Sequence, residues 1–468
     1  MAWTSARSLL LLVAGLLLAM MRPAVGARKE VAAVRVPDGA ITVDGQFTEW
    51  PGIVGLEKYR LAADTEKNLY FTNTDRGVYG GPADCSMEAW LAADAQMIYL
   101  FANVHDQSLF NDTRPDNPFE GDDFEVFIDA NPPEARFAPA KNDNVKQFIF
   151  VPRYINPQMP LGFIWQREQF PGLLMNSRLT SWGYQIEIGI PKALFPAWKA
   201  HPEGADSFGF DAQAVDADSP GQDGPHTSLK YACILLSSGV HFQNSVDYSN
   251  VKIDAQPATL AVMPAASQRL VDIDALLAQL PTVREADIPL LAQGMLDYMG
   301  DARIAQVIPL ALESKSPVLR KTALFILAKR PEVPAPVDKL LAIATPPKDL
   351  TYGQVDGHDI LCYTLVALAQ RHQLPVDGWF GFYPRLAAPQ VVLTYCWALG
   401  VNGDRHATPL LAKLLYDSNL RIRIKAAMAL GELKDPAALP ALDEMAANDP
   451  HHYARGEAQT AIKRIKGN

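Results

Sequence analysis

The sequence predicts a two-domain protein: an all-β, jelly-roll-like sandwich followed by an all-α solenoid. Three observations carry this reading. The chain has 468 residues, too many for one ordinary domain. Residues 30–255 contain short alternating or β-branched runs separated by loops rich in Asp, Asn, Gly and Pro. From residue 270 the apolar spacing changes to three and four in a Leu- and Ala-rich sequence, which is the period of amphipathic helix. With 49% hydrophobic and 20% charged residues, the composition supports packed cores in both parts.

The first element precedes both domains. Arg7, the apolar run LLLLVAGLLLAMM (9–21), Pro23 and the small residues AVGA (24–27) have the layout of a cleaved secretory signal peptide over residues 1–26. Thirteen apolar residues fall short of the roughly 20 that cross a bilayer. No Cys follows to carry a lipid, and no later stretch reads as a span. The expectation is a secreted or periplasmic protein. Cleavage would remove Arg7 and Arg22 and no acid, moving the formal charge from −10 to −12. An acidic chain without a basic cluster argues against nucleic acid as partner and suits a neutral sugar or a cation.

Seven runs supply the strands of the first domain: MEAWLAA, MIYLFANV, FEVFIDA, KQFIFV, YQIEIGI, GFDAQAV and YACILL. A short helical turn is expected at PKALF (191–195). Residues 256–269 read as a linker, and 270–468 as repeated helices. RKTALFIL (320–327), RIKAAMAL (423–430) and RGEAQTAI (455–462) share an Arg followed three residues later by Ala. Arg423 and Arg455 are 32 residues apart, and the Ala-Leu-Gly of 398–400 recurs at 429–431. Helix pairs at this period stack into a solenoid. With Asp417 or Asp449 at the turn and Arg early in the second helix, they resemble HEAT repeats. The Arg and Asp are expected to tie adjacent helices together.

The first half carries a second resemblance. ITVDGQFTEW (41–50), IYLFANVHD (98–106), NPFEGDDFEVFID (117–129), YQIEIGIPKALF (184–195) and GFDAQAVDAD (209–218) occur in the order seen in a family 9 carbohydrate-binding module, a DOMON-like β-sandwich. Asp44-Gly45 reads as a tight turn and Trp50 as a core residue plugging the end of the sandwich. The resemblance implies a sugar held at a chain end between two aromatic rings, placed here at Phe119 and Phe242, with Glu125 accepting from hydroxyls. Phe can stack with a smaller face than Trp and without its N–H donor. A family Arg falls at Ile149, which weakens the usual sugar contacts.

Carboxylates crowd the same region. Asp106, Asp112, Asp122, Asp123 and Asp129 are candidate oxygen ligands for a structural Ca²⁺, which takes six to eight such donors. Met87 and Met97 are the available ligands for a minor alternative, a haem-binding sandwich. Of the four cysteines, Cys85 and Cys233 are a candidate pair, while Cys362 and Cys396 lie in helical patterns and read as buried thiols. GWFGFYPR (378–385) interrupts the repeats, and Trp379, Phe380, Phe382 and Tyr383 are a candidate surface for a protein partner. No phosphate-cradling loop, zinc-protease helix or nucleophile elbow is present, so no catalytic residue is assigned. The leading expectation is a secreted, non-catalytic carbohydrate-binding protein associated with polysaccharide breakdown, its solenoid a scaffold for a protein partner. The rival is an exported adaptor whose sandwich has lost sugar binding.

Overall fold

A computed structural model describes residues 29–467, apart from 46, 64–68, 72–80, 112–117, 139–141, 157–158, 160, 218–229, 237–244, 262–270, 345–354 and 377–388. The chain is all-β and then all-α, as its two periods predict. The described strands are β1 (Glu30–Arg35), β2 (Leu61–Ala63), β3 (Leu69–Phe71), β4 (Cys85–Ala93), β5 (Met97–Asp106), β6 (Asp123–Asp129), β7 (Val145–Val151), β8 (Phe163–Ile164), β9 (Leu174–Thr180), β10 (Gly183–Pro191), β11 (Ser207–Ala217), β12 (Lys230–Ile234) and β13 (Ser249–Ile253). The turn expected at PKALF is present, and the short helix α1 (Pro196–Ala200) follows it.

Two sheets share β1. Its first half pairs in parallel with β13 and its second half in parallel with β4. One sheet runs β8-β7-β6-β11-β13, with β12 and β3 beyond β11; the other runs β4-β5-β10-β9, with β2 beside β4. Alternation decides what lies between them. Ile98, Leu100, Ala102 and Val104 of β5 face Phe124, Val126 and Ile128 of β6 and Phe208, Phe210, Ala212 and Ala214 of β11 across one buried core.

The opening phrase has a different place from the one expected. Trp50 is fully buried, but it packs with Phe47, Trp90, Tyr99 and Phe101 in a second cluster. It therefore covers the outer face of the β4-β5-β10 sheet and does not plug the end of the sandwich. Gly45 has φ +80°, and a Cβ there would lie 2.8 Å from the Asn176 amide, so the Asp-Gly turn needs its glycine.

The solenoid comprises α2 (Ile273–Gln279), α3 (Ile288–Asp297), α4 (Ile304–Glu313), α5 (Pro317–Lys329), α6 (Val337–Ala344), α7 (Val355–Ala369), α8 (Pro389–Asn402), α9 (Thr408–Leu414), α10 (Leu420–Leu433), α11 (Leu439–Asn448) and α12 (His452–Lys466). Side chains cap several of these: Asp272, Ser316 and Asn419 each accept a backbone N–H from the first turn that follows. Helices α3, α5, α7, α8, α10 and α12 pack in a row. No described helix is long and apolar enough to cross a membrane.

The two halves share one core. Leu109 N–H donates to the Tyr363 hydroxyl at 2.8 Å, and Ser108 Oγ donates to Asp359 at 2.6 Å. The Phe110 and Tyr363 rings lie 5.1 Å apart, and Lys329 Nζ stands 5.0 Å from the Phe110 ring centre. At a second contact Arg178 forms a two-pronged pair with Asp297, at 2.9 and 2.6 Å.

Candidate functional site

Strand β6 builds the first candidate. Phe124, Val126 and Ile128 point into the core, so Asp123, Glu125, Phe127 and Asp129 occupy the opposite face. Glu125 stands directly across from Gln213 of β11 and from Ile149 of β7. The amide of Gln147 donates to its carboxylate at 2.8 Å. Glu125 is buried, whereas Gln147 and Gln213 are half-buried, so a carboxylate and two amides share one sheet face. Such a row both donates to and accepts from hydroxyls.

The aromatic partner differs from expectation. Phe119, half-buried on the turn before β6, meets Trp165 edge to face, with ring centres 5.9 Å apart at 81°. The Trp165 backbone N–H donates to Ile149 O at 3.0 Å, which fixes that residue beside the Glu125 row. Phe119 and Trp165 thus make a corner. Phe242 lies outside the described residues, as do Trp379, Phe380, Phe382 and Tyr383. Trp165, Gln147 and Gln213 were missed in the sequence. Period-two alternation places the two glutamines beside Glu125 once the register is known, but no local pattern marks Trp165.

The carboxylates divide. Asp106, Asp122 and Asp216 bring oxygens within 4.8 Å of one another, and all three residues are buried. Their origin is geometric. Asp106 and Asp216 end the inward-facing rows of β5 and β11, so one end of the apolar core closes in charge. Asp122, just before β6, accepts the N–H groups of Phe110 and, at 2.5 Å, Ala217. Burial holds the Asp106 and Asp122 carboxyls well above the usual carboxylate range. The Asp106 charge raises Asp122 further, and Lys329 offsets part of that. Asp123 and Asp129 are not members of this group. Asp129 lies at the far end of β6 and accepts from Asn131, Phe137 and Ser245, which orders the turn after the strand. Asp112 lies outside the described residues. Asp216 was absent from the expected set, although β11 alternation signals it.

These three carboxylates fit a hard divalent cation: they offer oxygen only, at one point, with the negative charge that a cation would neutralise. Met87 belongs to the main core and Met97 packs against the second cluster, so the structure does not bring them together as haem ligands. The solenoid closes over this end of the sandwich. A cavity of about 30 Å³, room for a single water, lies between Asp106 and Gly183 on one side and Lys321, Phe325 and Tyr363 on the other.

Comparison with known proteins agrees with both halves. Residues 64–252 match the family described as "Carbohydrate family 9 binding domain-like", and residues 384–463 match HEAT repeats. Among solved structures, a family 9 carbohydrate-binding module from Caldicellulosiruptor kristjanssonii in complex with glucose shares 16% identity over 49% of this chain and 97% of its own, with a TM-score of 0.34. The same organism's module in complex with cellotriose gives 16%, 50%, 98% and 0.33. Human deoxyhypusine hydroxylase in complex with glycerol gives 16%, 42%, 96% and 0.18. No curated protein matches. The recognised domains are of binding and repeat types, and none is catalytic.

Proposed function

We propose, for a chain that joins a family 9-like carbohydrate-binding domain to HEAT repeats, that it is an exported, non-catalytic glycan-binding protein. Sugar lies on the outer face of β6, β7 and β11. The single observation that carries this is the Glu125 row, a carboxylate flanked by Gln147 and Gln213 with Trp165 and Phe119 at its edge. Pyranose hydroxyls need the first three groups, and the C–H face of the ring packs on the aromatics. Where a family Arg would stand, Ile149 offers no donor; the two glutamine amides supply donors in its place. An association with polysaccharide breakdown follows from ligand class alone, since the chain has no recognised hydrolase domain.

Asp106, Asp122 and Asp216 hold a structural Ca²⁺ in this reading. The ion supplies positive charge where three buried carboxylates meet. Asp106 carries the start of the loop that contacts the solenoid, and Asp122 fixes Phe110 through its backbone, so the site sets the sandwich end on which the solenoid rests.

The solenoid is the scaffold for a protein partner. A groove of about 370 Å³ on its outer repeats is lined by Leu415, Tyr416, Met445 and Pro450 with Asp417 and Glu444, and Tyr416 is 61% exposed. Ile149 favours the second reading, in which the sandwich keeps its fold without the sugar and the chain acts as an adaptor. Retention of the full chain on insoluble polysaccharides separates the two. Glu125→Ala and Trp165→Ala should each weaken retention about tenfold. No retention of the wild-type chain would leave the adaptor, and retention unchanged in both variants would remove the Glu125 row as the site.

A further inference from the structure

Two thiols meet inside the sandwich. Cys85 opens β4 in one sheet, and Cys233 lies on β12 in the other. Both point inward for the same reason. Cys85 starts the row Cys85, Met87, Ala89, Leu91, and Cys233 stands opposite Ala214, an inward residue of β11. Each is 1% exposed. Strand β12 packs against β4, and the Cys233 thiol reaches the carbonyl of Ala63 at 3.2 Å, where Ala63 is the register partner of Met87, two residues from Cys85. The other cysteines lie in the solenoid, where Cys362 reaches Gln390 O at 4.0 Å and Cys396 is buried.

We propose that Cys85 and Cys233 are oxidised to a disulfide joining the two sheets when the chain folds in contact with a disulfide oxidant. Two inward-facing thiols on strands that pack against each other are placed to form a bond of about 2.05 Å. The reaction is thiol–disulfide exchange. One cysteine thiolate attacks the oxidant's disulfide and releases one thiol. The second cysteine thiolate then attacks the mixed disulfide at the protein sulfur and releases the other. The pair loses two electrons and two protons, and the oxidant gains both as two thiols. Burial sets the order of events: exchange precedes closure of β12 onto the sandwich, and the same burial afterwards shields the bond from reductants.

The bond has a structural consequence. Cys85 is the register partner of Asp106, and Tyr231, two residues before Cys233, is the register partner of Asp216. A covalent tie between β4 and β12 holds together the neighbours of β5 and β11, the strands whose ends bring these carboxylates to one point. It also closes a long loop, from 85 to 233, which restricts the unfolded chain more than a short one would.

The test is to refold the full chain from denaturant in a glutathione–glutathione disulfide buffer, alkylate it in denaturant, and map the peptides by mass. The inference requires alkylation at Cys362 and Cys396 only, with a cross-linked peptide pair containing Cys85 and Cys233. Reduction before alkylation should raise the count to four labels and lower the thermal midpoint by about 5 °C or more. Cys85→Ser should leave Cys233 open to alkylation, and the wild-type map decides the matter even if that variant fails to fold. Four alkylated cysteines after oxidative refolding, or a cross-link through Cys362 or Cys396, would overturn the proposal.

Discussion

Glu187 shows how much one residue can conceal. It is fully buried on β10 among aromatic side chains, and the Trp50 indole donates to it at 2.7 Å. The sequence shows Trp50 as a core residue. It does not show what Trp50 holds, because donor and acceptor are 137 positions apart. Burial pushes the Glu187 carboxyl up to about 7; the N–H groups of Trp50 and Gly45 oppose this and lose. The sign follows from linkage. In the unfolded chain the group ionises near its ordinary 4.5, whereas the folded state keeps the proton. Stability is therefore fully present below pH 4.5 and is lost as pH rises to about 7, by on the order of 3 kcal/mol. Glu187→Gln keeps an acceptor for Trp50 and cannot ionise. Urea unfolding should find it more stable than wild type at pH 8 by about 1–3 kcal/mol, with the advantage fading toward pH 4.5. An equal deficit at both pH values would contradict this account.

At the scale of elements, three repeat arginines do the same work. Arg320, Arg423 and Arg455 each donate to the carbonyl six residues earlier, at Ser314, Asp417 and Asp449, in the turn between paired helices. Arg423 then reaches the Asp449 carboxylate of the next repeat at 2.8 Å. This role was legible in the sequence because solenoid contacts are local. The Ala-Leu-Gly repeat was also visible, but its purpose is geometric. A Cβ on Gly400 would lie 3.0 Å from Ala429 Cα, and one on Gly431 would lie 3.1 Å from Ala461 Cα, so glycine lets neighbouring second helices touch. Gly456, on α12, has nothing within 4 Å of such a Cβ. Gly431→Val should cost about 1–3 kcal/mol by overpacking. Gly456→Ala should gain about 0.5–1 kcal/mol from helix propensity. Thermal denaturation of the pair checks both signs, and a neutral Gly431→Val would contradict the close approach.

At the scale of the whole molecule, the change of period at residue 270 revealed two architectures but not that they form one body. The contacts that join them, such as Ser108 with Asp359 and Leu109 with Tyr363, span about 250 positions and leave no local pattern. The same holds for the carboxylate site: Asp106 and Asp122 lie in an acidic stretch that any reader would notice, while Asp216 arrives from a strand 94 residues further on. The shared core predicts one cooperative melt, with strand and helix signals in circular dichroism falling at the same temperature. Two separated transitions would show that the interface carries little energy. Ca²⁺ at neutral pH should raise that midpoint by about 2–5 °C over a chelator, and Asp216→Asn should erase the difference. Identical midpoints in Ca²⁺ and chelator would remove the ion from the account. The most direct test of the central claim is a glycan array probed with the full chain, wild type beside Glu125→Ala. Wild type should bind at least one oligosaccharide, and the variant should lose that binding. Silence across the array, or binding that ignores the loss of Glu125, would contradict it.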